Sequence, residues 1–207
     1  TVGDLAVDVY ATSDTTAVAQ LPAAQAVTVD VTLANDNGED SLPFTYEGLY
    51  TADGRYRSLG FLYLVDPRNG ASVQLGPISY TAEGETDPRE FSVSGMIFGT
   101  DGTLYATAAG TDSVLLTLDP HTGTPTEIGS LYNPNTNTTH NHIGDLAFVG
   151  SQLFGWSNNN SALVAIDVAT GQVSDIASAI TGRGFGLSRR DGTGMYAMTD
   201  PGGVLSL

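Results

Sequence analysis

The stretch Val114-Leu-Leu-Thr-Leu-Asp-Pro-His-Thr-Gly-Thr-Pro-Thr-Glu-Ile-Gly129 constrains the fold most, because the chain writes it more than once. It reads as a short strand, a tight turn and a second strand. Phe61-Leu-Tyr-Leu-Val-Asp-Pro-Arg-Asn-Gly70 is an earlier copy and Ala162-Leu-Val-Ala-Ile-Asp-Val-Ala-Thr-Gly171 a later one. The turn aspartates Asp66, Asp119 and Asp167 stand 53 and 48 residues apart. That period belongs to propellers and other arrays of stacked units.

The turn has a physical cause. An Asp at its first position accepts nearby backbone N–H groups, and a following Pro presets φ near −65°. Gly closes the turn, where an extended hairpin loop needs a residue at positive φ. The strands that lead into it are apolar on both faces, as in Phe61–Val65 and Val114–Leu118. A strand of that kind is covered on both sides, which face-to-face stacking of sheets supplies.

A second repeated unit precedes the first. Gly95-Met-Ile-Phe followed by Asp101-Gly-Thr-Leu-Tyr-Ala106 returns as Gly144-Asp-Leu-Ala-Phe148 followed by Gly150-Ser-Gln-Leu-Phe-Gly155. It returns again as Gly184-Phe-Gly-Leu followed by Asp191-Gly-Thr-Gly-Met-Tyr-Ala197. Asp-Gly between apolar runs marks a hairpin. Four short strands per repeat make one antiparallel propeller blade. The expected fold is all-β: a propeller-like array of four-stranded blades starting near residues 48, 91 and 143, and a fourth near Gly182. A β-sandwich with chance similarities is the alternative.

The pairing of Asp101–Ala106 with Leu115–Gly123 resembles the β-propeller repeats of secreted and cell-surface proteins of bacteria and archaea. The resemblance covers roughly residues 48–207, departs from the pattern at Val168, where the other turns carry Pro, and rests on turns and strands rather than a catalytic motif. It implies an extracellular or cell-surface location.

Charge excludes several functions. Asp and Glu number 23 against 7 Lys and Arg, all seven Arg, for a formal charge of −16. A chain so acidic has no basic patch to displace counterions from nucleic acid or to hold an anionic membrane. No apolar run reaches the ~18 residues of a membrane span. There is no Cys, so neither disulfides nor thiol chemistry enter.

Residues 1–47 do not fit the repeat and are expected to form an N-terminal β extension, a strand donor or partial sandwich, beside a repeat region at 48–207. The opening Thr1-Val-Gly-Asp4 reads as a mature or trimmed start. Asp4–Tyr10 and Val27–Leu33 alternate apolar and polar residues as half-buried strands do. Val27–Asp40 also resembles a strand and turn of immunoglobulin-like surface modules, although a whole one needs ~100 residues. Within it, Asp36 and Asp40 are candidate ligands for Ca²⁺, a hard cation that takes oxygen donors from acidic turns. The turn lacks the full spacing of a calcium loop, and a solvated polar turn is the competing reading.

The polar segment Tyr132–His142 reads as an insert ahead of the third copy, and loops outside a scaffold's packing often carry function. His140 and His142 share a face if extended, as two ligands of Zn²⁺ or Cu²⁺ would. Counting from the leading glycines places Asp145 where sister repeats carry Met96 and Phe185. Solvated histidines are the alternative. Trp156, the sole Trp, is a candidate to face a sugar or else to pack in the core.

No nucleophile elbow, His-Glu-x-x-His motif or phosphate loop is present. Three classes compete: a non-catalytic structural or filament-forming surface protein, a channel-site hydrolase or lyase, and a carbohydrate-binding adhesin. Gly203–Leu207 matches the strand that elsewhere leads into a turn Asp, so an outer partner strand is expected for it. Asp4–Tyr10 or Val27–Leu33 would supply that strand, from the same chain or from another copy.

Overall fold

The computed structural model describes residues 9–13, 16–19, 28–35, 38–45, 49–53, 58–67, 69–81, 83–109, 113–177, 183–189, 195–200 and 203–206. Among them are twenty-two strands and no helix. The chain divides into two compact units, Thr1–Tyr50 with Leu64–Val73, and Thr51–Tyr63 with Gln74–Leu207. In the first unit β1 (Val9–Ser13) pairs with β2 (Thr16–Ala19), and β3 (Thr28–Asn35) with β4 (Gly38–Thr45), as two hairpins.

The repeats form sheets in chain order. First come β5 (Leu49–Ala52), β6 (Phe61–Val65) and β7 (Ser72–Pro77) in one three-stranded sheet. A short hairpin follows, β8 (Ser79–Tyr80) with β9 (Arg89–Glu90). The second blade has four strands: β10 (Val93–Phe98), β11 (Leu104–Ala108), β12 (Val114–Leu118) and β13 (Pro125–Ser130). Another short hairpin follows, β14 (Tyr132–Asn133) with β15 (Thr138–Thr139). The third blade is again four-stranded: β16 (Ile143–Val149), β17 (Gln152–Ser157), β18 (Ala162–Ile166) and β19 (Val173–Ala177). The last sheet joins β20 (Arg183–Arg189), β21 (Met195–Asp200) and β22 (Gly203–Ser206).

Four-stranded antiparallel blades at the expected positions make this an all-β propeller-type repeat. The first sheet differs from expectation in having three strands. The strand before it in sequence, β4, is already paired with β3. Of the strands expected to flank the last sheet, Thr28–Leu33 lies in that same hairpin, Val9–Tyr10 pairs with β2, and residues 4–8 and 27 lie outside the described residues. Among the described residues β22 has β21 as its one strand neighbour.

The three turns share one geometry despite the change from Pro to Val168. Gly70, Gly123 and Gly171 take φ of 73°, 77° and 75°, and each donates its N–H to the carbonyl of the turn Asp at 2.8 Å. Asp119 and Asp167 each use a carboxylate oxygen to accept the N–H two residues on, at 2.7 and 2.8 Å. The aspartate therefore sets the turn, and proline only assists it.

Blades join through backbone. A methyl group added at Gly76 on β7 would land on the carbonyl of Thr122 in the next blade's turn. One added at Gly129 on β13 would land on Thr170 in the turn after that. Between the second and third blades the core gathers Tyr105, Leu115, Ile143, Leu146, Leu153, Val164 and Ile166. Between the third and the last it gathers Trp156, Leu163, Leu187, Met195 and Ala197. Each fully buried Leu contributes about 1.5–3 kcal/mol relative to exposure, so these layers are the main source of cohesion.

Candidate functional site

The segment holding His140 belongs to the repeat and is no insert. Leu131 donates its N–H to the carbonyl of Ser113, and His140 donates its own to Leu131, both at 2.8 Å. One repeat earlier Ile78 donates to Gly60 and Phe91 to Ile78, at 2.8 and 2.9 Å. The β8–β9 and β14–β15 hairpins are therefore equivalent connectors, and the acidic run Glu83–Glu90 falls in the first of them. His140 occupies the place of Phe91 and Asn133 the place of Tyr80.

Each connector fastens to a carboxylate on the outer strand of the blade it leads into. Glu127 and Asp175 both stand four residues after their turn glycine. Glu127 accepts the Tyr80 hydroxyl at 2.7 Å and is ion-paired with Arg89. Tyr80 stacks on Phe91, and the Arg89 guanidinium lies over the same ring at 5.7 Å. The hydrogen bond to Glu127, with burial second, raises the Tyr80 hydroxyl above its ordinary pKa.

In the next connector Asp175 accepts the Asn133 amide at 3.2 Å and lies 3.1 Å from Nε2 of His140. The imidazole is 1% exposed. Its contact with Asp175 is close but poorly aligned, and among the described residues neither ring nitrogen has a well-directed hydrogen bond. Burial lowers the His140 pKa, and the Asp175 charge opposes that only in part. The neutral ring is therefore the form the fold favours.

Asp145 serves the opposite, inner side of the blade. Counting back from the hairpin ends, where Phe98 pairs with Leu104 and Phe148 with Leu153, sets Asp145 opposite Gly95. In the last sheet, where Arg189 pairs with Met195, its counterpart is Gly186. The equivalence with Met96 and Phe185 is thereby corrected by one residue, because the leading glycines Gly95, Gly144 and Gly184 stand at different register positions, on either side of the bulge that the three first strands share. Asp145 accepts the N–H of Leu146 at 2.8 Å and that of Leu187, on β20, at 2.7 Å. One joint earlier the hydroxyls of Ser94 and Thr107 donate to the Ile143 carbonyl, at 2.7 and 3.1 Å.

His142 is half-buried with φ of 53°, and its carbonyl accepts the N–H of Asn158. Trp156 is fully buried against the last sheet, at the position that Thr107 holds in the preceding blade. Asp40 is exposed and accepts the N–H of Ser41, while Asp36 lies outside the described residues. Among the described residues no three His, Asp or Glu side chains are grouped to hold a metal ion.

Two open polar grooves, of about 420 and 620 Å³, lie at equivalent places on the third and second blades. Ser151, Gln152 and Asp167 line the first, and Gly102, Thr103 and Asp119 the second. Sequence reasoning did not reach Asn133, Asp175, Ser94 or Thr107. The recurrence of an acid four residues after the turn glycine was the available signal for Asp175.

The family described as Repeat of unknown function (DUF6923) matches residues 49–206, more than half of the chain. The chain belongs to this repeat family. No curated protein matches the DUF6923 chain in sequence. Among solved structures it is similar to virginiamycin B lyase from Staphylococcus aureus, at 11% identity and a TM-score of 0.44 over 88% of this chain and 63% of the lyase. A streptogramin B lyase matches at 15% identity and a TM-score of 0.42, over 88% and 62% of the two chains. An extracellular domain from B. thetaiotaomicron matches at 13% and 0.45, over 91% of this chain and 28% of its own. The DUF6923 chain thus spans less than two thirds of each of these three.

Proposed function

We propose that the chain is a non-catalytic extracellular structural or interaction module, with residues 1–47 as an extension of its repeat region. Its partners on this reading are other chains, including copies of itself. One observation carries it: the side chains best suited to chemistry are used in joining blades. His140 sits at the Asp175 clasp, Asp145 holds the Leu187 backbone, and Trp156 fills the last inter-sheet layer. The formal charge of −16 suits an exposed, soluble surface.

The test is access from outside. An epitope-tagged chain expressed in its native host should be stained on intact cells and removed by added protease. A chain protected until the cells are lysed would contradict the proposal. A carbohydrate-binding adhesin is the second reading, favoured by the equivalent hydroxyl-lined grooves on successive blades. Glycan-array binding lost on Gln152→Ala would support it.

A further inference from the structure

The chain spells the acceptor pattern Asn-x-Ser/Thr at Asn137-Thr-Thr139 and again at Asn159-Asn-Ser161. Polar loops produce this pattern by chance, so the surroundings of each copy decide what it can do. Ser161 is half-buried, whereas Asn137 and Thr139 are both exposed.

Asn137 lies at the tip of the β14–β15 hairpin with φ of 54°. Asn tolerates that left-handed backbone better than most residues with a side chain. Tyr132 pairs with Thr139 across the hairpin, and Asn133 with Thr138. Paired residues share a face, and neighbours along a strand take opposite faces. Asn133 spends its face on Asp175 of the third blade. Tyr132 and Thr139 therefore stand on the face turned away from that clasp. The Tyr132 hydroxyl donates to the amide oxygen of Asn137 at 2.6 Å. That bond holds the amide by its oxygen, and the amide nitrogen has no hydrogen bond among the described residues.

Resting on the reading of the chain as an extracellular module, we propose that Asn137 is a site of N-glycosylation. The donor is a sugar whose anomeric carbon carries a phosphate or diphosphate leaving group. The Asn137 amide nitrogen bonds to that carbon and gives up one proton to a base of the transferase. The anomeric C–O bond breaks, and its electron pair leaves with the phosphate. The Thr139 hydroxyl, two residues on, is the group by which a transferase recognises the acceptor. The sugar projects from an exposed tip, away from Asp175, so the joint between connector and blade is left intact.

The experiment is peptide mass spectrometry on the chain purified from its native host, with the surface-protease assay run on the same cells. The expected result is a hexose- or hexosamine-type mass increment assigned to Asn137 by fragmentation. Asn137→Gln and Thr139→Ala, both at exposed positions and checked for folding by circular dichroism, should abolish it. Thr139→Ser should keep it. A bare Asn137 in the wild-type chain overturns the proposal, as does an increment that persists in Thr139→Ala. A bare Asn137 on a chain that protease removes from intact cells would sink this inference alone. A chain glycosylated at Asn137 but protected until lysis would instead sink the functional reading.

Discussion

The imidazole of His140 lies 3.1 Å from the carboxylate of Asp175, at the place the preceding repeat gives to Phe91. A titratable ring thus stands in for an apolar one in an otherwise equivalent connector. Its pKa is depressed in the folded chain, chiefly by burial. The unfolded chain then binds more protons than the folded one as pH falls through the ordinary histidine value of about 6.5. Stability present above that pH should decline below it. Urea midpoints of His140→Phe should show a shallower fall between about pH 7 and 5.5 than wild type, and parallel profiles would contradict this.

Asp145 accepts backbone N–H groups from its own strand and from β20. Asp145→Ala leaves the Leu187 N–H without its acceptor, at a cost of roughly 1–3 kcal/mol. Asp145→Asn, which keeps one amide oxygen, should lose less. Denaturant unfolding checks the order, and equal midpoints for wild type and Asp145→Ala would remove the joint.

Gly129 lies flush on Thr170, and Ala177 occupies the same register position one blade later. Gly129→Ala should destabilise by roughly 1–3 kcal/mol through overpacking against backbone. Ala177→Gly should change stability by no more than about 1 kcal/mol, the usual cost of glycine in a regular element. Thermal unfolding of the two variants separates them, and a harmless Gly129→Ala would argue against close blade contact.

Trp156 is fully buried, and its indole N–H has no hydrogen-bond partner among the described residues. Trp156→Ala should cost about 3–5 kcal/mol. Trp156→Phe should cost less, because the ring still fills the layer and no hydrogen bond is lost. Chemical denaturation followed by circular dichroism tests the order, and equal losses would contradict it.

The turns and blade strands were legible because their signals are local. Asp-x-x-x-Gly names the turn, and apolar residues on both faces name a covered strand. Asp145 was misplaced because Gly95, Gly144 and Gly184 look alike in sequence yet stand on different sides of a bulge that carries no local mark. The connectors were misread as one insert because Tyr80, Arg89 and Phe91 share no residue type with Asn133, Thr138 and His140. Their equivalence lies in backbone hydrogen bonds, which many sequences satisfy. The clasp between His140 and Asp175 is set by that long-range pairing, so neither residue's neighbours reveal it.

On this reading the chemistry-bearing side chains hold the repeats together. A double-mutant cycle on His140→Phe and Asp175→Ala, read as unfolding free energies, is the sharpest check of it. A coupling of about 0.5–3 kcal/mol, as expected for residues in contact, is the predicted result. Single effects that add to within about 0.3–0.5 kcal/mol would contradict it.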